Sequence, residues 1–211
     1  MALKSPWSRI APVGPMYRLS FQTASFATTG STTGTVSYSV FSMQWVSTNT
    51  VFIPTYFDVQ MTVESTLTTY QDIPFGLYIV RNYTTPASGG TAATFATTKC
   101  LQMGQLDSRF ATTNFAANGA INWLSSGVLT AGVGTVDNYP IHTWNYGQYF
   151  STTAGVPQFR PAVFGAYPNT QAPFIRNNEG LILQQNIATL GTGAIALTIT
   201  MEWIEMDVGK Y

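Results

Sequence analysis

Two stretches of this chain alternate apolar and polar residues without error, and that pattern confines them to half-buried β-strands. Over residues 57–64, Phe57, Val59, Met61 and Val63 are separated by Asp58, Gln60, Thr62 and Glu64. Over residues 195–203, Ile195, Leu197, Ile199, Met201 and Trp203 are separated by Ala196, Thr198, Thr200 and Glu202, and Ile204 then ends the alternation. A period of two sends one set to each face of a sheet. A third run starts on Val36, Tyr38 and Val40 and then shifts phase to Phe41, Met43 and Trp45. Such a slip turns every later side chain to the other face unless a bulge absorbs it, so a β-bulge or strand bend is expected near Val40 and Phe41.

Residues 77–80 form an unbroken apolar run after Pro74, short enough for a strand buried on both faces. Further strands are expected over residues 17–26, 99–103, 121–124, 138–143 and 181–187. Turn-formers lie between them: residues 30–34, 86–90, Asn118-Gly119, and Gly191-Thr192-Gly193, whose place between two strand-like runs suggests a hairpin. No window combines three-to-four-residue apolar spacing with an N-cap and strong helix formers, and the many Thr, Val and Ile residues favour strand. Eight or more strands with Thr- and Gly-rich connections make the chain all-β, an antiparallel β-sandwich with a jelly roll as the expected form. No internal repeat and no linker divides it, so residues 16–211 are read as one sandwich domain. Residues 1–15, with Pro6, Pro12 and Pro15, are read as an extended N-terminal arm; its Trp7 and Arg9 are candidates for docking on a neighbour.

Charge narrows the function classes. Of 211 residues only 9% are charged, 9 Lys+Arg against 9 Asp+Glu, where about 25% is ordinary. The polar groups are instead the hydroxyls of 31 Thr and 15 Ser together with amides. The apolar content of 45% is enough to offset the entropy of ordering, so disorder is excluded. Lys4, Arg9 and Arg18 are too sparse to neutralise a phosphate backbone, so no nucleic-acid partner is expected. No stretch approaches the ~20 apolar residues of a membrane span, and the first fifteen residues lack the apolar core of a signal peptide. With Cys100 as the only cysteine, no internal disulfide is possible.

Catalytic constellations are equally scarce. His142 is the only histidine, more than forty residues from Cys100, and is read as a strand or loop residue bonded to backbone. One His and one Cys cannot supply a zinc site, and no Asp/Asn-rich calcium loop occurs, so no metal or other cofactor is expected. Asp58 and Glu64 share one strand face but sit about 20 Å apart at ~3.3 Å per residue, too far for glycoside hydrolysis. Gly132-Val133-Gly134 and Gly191-Thr192-Gly193 lack the Lys and the following helix of a phosphate loop and are read as turn glycines. The chain is therefore expected not to be an enzyme. Aromatics are the richest signal: Trp144, Tyr146, Tyr149 and Phe150 crowd a segment read as a loop, which could fold over the core, anchor a protein interface or stack on sugar rings.

Several segments together carry a resemblance. Leu77-Tyr78-Ile79-Val80-Arg81 with Gly89-Gly90-Thr91, then Leu129-Thr130-Ala131-Gly132 with Asp137 and Pro140-Ile141, then Asn178-Glu179-Gly180 and the closing Thr198-Ile199-Thr200-Met201-Glu202-Trp203, resemble virion structural proteins of tailed bacteriophages and prophages. The similarity spans residues 77–205 and leaves out the aromatic stretch at 144–150. It implies a non-enzymatic shell component, a capsid cement or decoration protein with a jelly-roll-like fold that works as a homotrimer on a major capsid protein. The implied location is the outer capsid surface of a virion, with the host cytoplasm during assembly. Two alternatives stand beside it: a single jelly roll that itself forms the shell, and a carbohydrate-binding fibre module using Trp144, Tyr146 or Tyr149.

Overall fold

The computed structural model describes residues 16–27, 39–65, 73–92, 100–103, 119–123, 129, 132–146, 162–164, 172–185 and 194–210. These form thirteen strands and one closing 3-10 turn at Val208–Lys210, with no α-helix among the described residues. The strands are β1 (Met16–Gln22), β2 (Phe26–Ala27), β3 (Ser39–Trp45), β4 (Thr50–Ser65), β5 (Pro74–Thr85), β6 (Thr91–Ala92) and β7 (Cys100–Met103). They continue with β8 (Gly119–Trp123), β9 (Val133–Val136), β10 (His142–Asn145), β11 (Ala162–Val163), β12 (Glu179–Gln185) and β13 (Ala194–Asp207).

Two antiparallel sheets pack face to face. The first has the order β11-β4-β13-β1-β7, with β2 on β13; the second has the order β10-β5-β12-β3-β8-β6, with β9 on β5. Taking β1, β3, β4, β5, β10, β11, β12 and β13 in chain order, strands one, eight, three and six share the first sheet and two, seven, four and five the second. That interleaving, in which each strand's neighbours come from distant parts of the chain, is the two-Greek-key order of a jelly roll. It corrects the expected hairpin at Gly191-Thr192-Gly193: those residues lie outside the described ones, but β12 and β13 belong to different sheets, so their connection crosses the sandwich.

The alternating runs build the spine. Every residue of β13 has a partner on β4, and Phe57, Val59, Met61 and Val63 meet Met201, Ile199, Leu197 and Ile195 on the inner face. The phase break in β3 is a bulge. Leu183 pairs with Phe41 and Gln184 with Ser39, which leaves Val40 as the extra residue and lets Val40 and Phe41 both enter the core. A second bulge lies where Glu202 faces Tyr56 and Trp203 faces Pro54, isolating Thr55; proline, with no N–H to offer, suits such a break. The alternation does break at Ile204, where Trp203, Ile204 and Glu205 are buried in succession, while β13 itself runs on to Asp207.

Strand β5 is buried on both faces, as its apolar run requires. Phe75, Leu77 and Ile79 line the main core, while Tyr78 and Val80 join Tyr83, Val136 and Ile182 in a second cluster on the outside of the second sheet. Strict alternation would turn Tyr83 inward. Asn82 prevents this by taking a left-handed backbone (φ 49°), a conformation asparagine tolerates, and so returns Tyr83 to the outer face. There its ring lies over three glycines. A Cβ on Gly132 would meet Tyr83 Oη at 2.8 Å, one on Gly134 would meet Cδ2 at 3.1 Å, and one on Gly180 would meet Cδ1 at 2.7 Å and the carbonyl of Met43. The expected turn at Gly132-Val133-Gly134 is thus corrected: these residues lead into β9, and their glycines permit close approach to a tyrosine. The strand expected over 138–143 is also revised, since residues 138–140 loop out and β10 begins at His142.

Gly180→Ala is expected to lower unfolding free energy by about 1–3 kcal/mol, because neither a backbone carbonyl nor a buried ring can give way cheaply. Gly209→Ala, with open space around its Cβ position, should change it by less than about 0.5 kcal/mol. Urea denaturation of the two variants measures the contrast.

Candidate functional site

Of the residues singled out for interaction, Trp7, Arg9, Tyr149 and Phe150 lie outside the described residues. Trp144 and Tyr146 do not form a surface platform. Trp144 stands on β10 opposite Phe75, is 1% exposed and packs against Phe57 at 5.8 Å between ring centroids. Tyr146 is fully buried against Phe75, and its hydroxyl donates to the carbonyl of Val59 on β4, tying the second sheet to the first. Burial pushes the Tyr146 hydroxyl far above its ordinary range, with nearby Asp58 adding to the effect. Both rings are core, which removes them from any sugar-stacking or docking role. His142 packs edge-on against Trp144 at 4.5 Å, in the second sheet, while Cys100 lies on β7 in the first. Among the described residues no group of three or more His, Cys, Asp or Glu could hold a metal ion. No helix among them is long and apolar enough to cross a membrane.

The two outer faces differ in chemistry. On the second sheet, Ser42, Gln44, Tyr78, Val80 and Ile182 are all buried. Tyr83 seals this side by bonding Ser42 Oγ, accepting from Gln44 Nε2 at its carbonyl, and accepting from the Ala87 N–H at 3.2 Å through its hydroxyl. Burial raises the Tyr83 hydroxyl as well. At the rim, Arg81 bonds Glu179 and lies 3.5 Å from Asp137, and Glu179 accepts the Arg176 N–H at 2.8 Å. Asn178, at φ 58°, receives the Tyr83 N–H on its carbonyl. These contacts make the quoted Asn178-Glu179-Gly180 segment and Arg81 one structural unit.

The first sheet exposes its outer face chiefly along β1 and at Gln60, while Ala196 and Asp58 on the same face are buried. Register places Arg18 beside Glu202 and Tyr56, Ser20 beside Thr200 and Asp58, and Gln22 beside Thr198 and Gln60. Arg18, Ser20, Gln22 and Gln60 are exposed, and Thr198, Thr200, Glu202 and Tyr56 are half-buried. Within this array Ser20 and Thr200 share a hydrogen bond of 2.9 Å, Gln60 donates to Asp58 at 3.1 Å, and Arg18 approaches Glu202 at 3.6 Å. The result is a mainly hydroxyl and amide array across β1, β13 and β4 that also carries Arg18, matched by Glu202, and Asp58, which is buried with one oxygen lacking a hydrogen-bond partner. This face is the broad exposed feature to which the sequence pattern assigned no role, although the polar halves of both alternating runs encode it.

One buried carboxyl stands apart. Glu205 on β13 has no exposed surface; its Oε1 accepts the Trp203 indole N–H at 3.3 Å, and its Oε2 has no hydrogen-bond partner. Burial pushes this carboxyl up to about 7, against the opposing pull of the indole hydrogen bond. Breaking the alternation at Ile204 had concealed that Glu205 shares the inward phase of Trp203.

No known protein family, curated protein or solved structure matches the chain.

If Trp144 and Tyr146 are core groups, their loss shows in stability. Trp144→Ala should cost about 3–5 kcal/mol through lost packing and a cavity. Tyr146→Phe should cost about 1–3 kcal/mol, because the Val59 carbonyl loses its donor. Denaturant unfolding of each variant reads these losses, and a surface platform would give changes near zero.

Proposed function

We propose that this protein is a non-enzymatic virion structural component, an outer capsid cement protein whose contact surface is the open face of the first sheet. The observation that carries the reading is the hydroxyl and amide array on β1, β13 and β4. Interfaces between protein copies exclude unpaired charge, since each buried ion needs a partner, whereas hydroxyls and amides pair with backbone groups or trapped water. Within the array Arg18 is matched by Glu202, and Asp58, the one carboxylate there without a cation, is held by Gln60. The segments resembling phage virion proteins support the same reading: Asn178-Glu179-Gly180 and Arg81 hold the sealed side, and residues 198–203 form the spine of the open one.

Cementing is then thermodynamic. A protein that binds only the assembled lattice stabilises it by mass action, and a symmetric trimer multiplies weak contacts into firm attachment. Paired substitutions Ser20→Asp and Thr200→Asp place two new carboxylates beside Asp58 and Glu202 at the centre of the array. Occupancy on purified capsids should fall at least about tenfold, the equivalent of ~1.4 kcal/mol, with the melting temperature of the free protein unchanged within a few degrees. Unchanged occupancy would discard this face as the contact.

The strand order favours a second reading, in which the jelly roll itself tiles a shell, because viral capsid domains are among the recurrent uses of this architecture. Negative-stain microscopy of the purified protein separates the two. Closed particles without a partner identify a shell-former; dispersed small oligomers that bind capsids identify a cement.

A further inference from the structure

We propose that Glu205 is a proton-operated latch: the sandwich end formed by residues 50–53 and 204–210 is held shut while this carboxyl is protonated and opens locally when it ionises. Position is the first argument. Strand β1 begins at Met16 opposite Ile204, so Glu205 is the first residue of β13 beyond the described part of β1, and its described strand partner is Phe52 on β4 alone. Beyond it the pairs Met206–Val51 and Asp207–Thr50 and the Val208 N–H to Asn49 carbonyl bond close the end.

Surroundings are the second argument. Trp203 stacks on Tyr17 at 5.4 Å and on Phe52 at 5.5 Å, and Phe52 continues to Trp45 at 5.7 Å, a line of four rings crossing from one sheet to the other. An ionised carboxylate beside this line has one indole donor and one oxygen with nothing to accept from. The titratable and charged groups on the neighbouring elements are Tyr17 and Arg18 on β1, Tyr56, Asp58 and, at its far end, Glu64 on β4, Arg176 beside Ile175, Glu202 and Asp207 on β13 itself, and Lys210 in the closing turn. Strand β3 has none. Arg18 is engaged with Glu202 on the outer face. Burial and the Trp203 bond account for the Glu205 shift without any of these charges. Ionisation is therefore relieved by letting water in, and the terminal segment of β13 is the shortest piece that can move to admit it.

The sign follows from the raised value. A carboxyl at about 7 when closed and near 4.5 when hydrated favours the closed form below about 4.5, and loses that preference as pH rises toward 7. Opening should become roughly tenfold more populated per pH unit across that window, and level off above it. Amide hydrogen exchange of the intact chain, corrected for intrinsic rates, is the test. Wild-type protection at residues 204–208 and 50–53 should fall with pH between 5 and 7, while the centres of β4 and β13 keep theirs. Glu205→Gln should abolish this dependence. Because a variant can alter packing, the side-chain 13C resonance of Glu205 in the wild-type protein is followed as well, with a midpoint near 7 expected. A midpoint below 5, an undiminished pH dependence in the glutamine variant, or a uniform loss of protection over the whole sandwich would each overturn the latch.

Discussion

The pairing of β4 with β13 is the constraint on which the rest depends. Because β13 is partnered by β4 along its whole length, the face on which Phe57 and Met201 point decides where every other strand can lie. A slip of one residue would carry Trp203, Ile199 and Leu197 to the outside and Thr198 and Thr200 to the core. Two bulges on β4 adjust its register locally, at Thr55 and again where Ala194 faces Ser65 and Ile195 faces Val63. The second sheet has only to cover the apolar face so formed, and Phe41, Trp45, Phe75, Leu77 and Leu183 supply that cover.

How legible this was in the amino-acid order varies with the range of the interaction that decides each feature. The bulge at Val40 could be read because the phase change between Val40 and Phe41 is itself a local pattern. Two-sided burial of β5 could be read because a run such as Leu77 to Val80 has no polar face to offer water. Burial of Trp144 and Tyr146 over the core was one of the readings the sequence left open, but their strand was not legible: Thr143 and Asn145 are exposed before and between them, a true period of two, and four residues of it do not stand out in a Gly- and Tyr-rich stretch. The crossing from β12 to β13 was hidden for a different reason. Turn chemistry at Gly191-Thr192-Gly193 says that the chain changes direction, and nothing local says whether the next strand joins the same sheet. The three-glycine seat of Tyr83 draws on residues 83, 132, 134 and 180, which only the folded topology brings together.

Function reading meets the same limit. Setting Asp58 and Glu64 aside as a pair needed only their spacing, whereas the polar array of the first sheet appears once register sets Ser20 beside Thr200 and Gln22 beside Thr198. The polar residues of the alternating runs have no individual signature. Their meaning comes from being neighbours across strands, where hydroxyls and amides can satisfy one another in the free protein and exchange partners in an assembly.

Tyr83 in its glycine seat has a consequence for the shape of anything larger. With the middle of the second sheet's outer face covered by Tyr83 and its neighbours, and the outer face of the first sheet exposed along β1, the two sides of the sandwich are unlike. A layer built by joining such domains through the exposed side would inherit an orientation from each of them, and its two surfaces would differ before any other component arrived. Polarity of that kind, distinguishing one side of a coat from the other, would then be a property of a single tyrosine ring and the three missing side chains that make room for it.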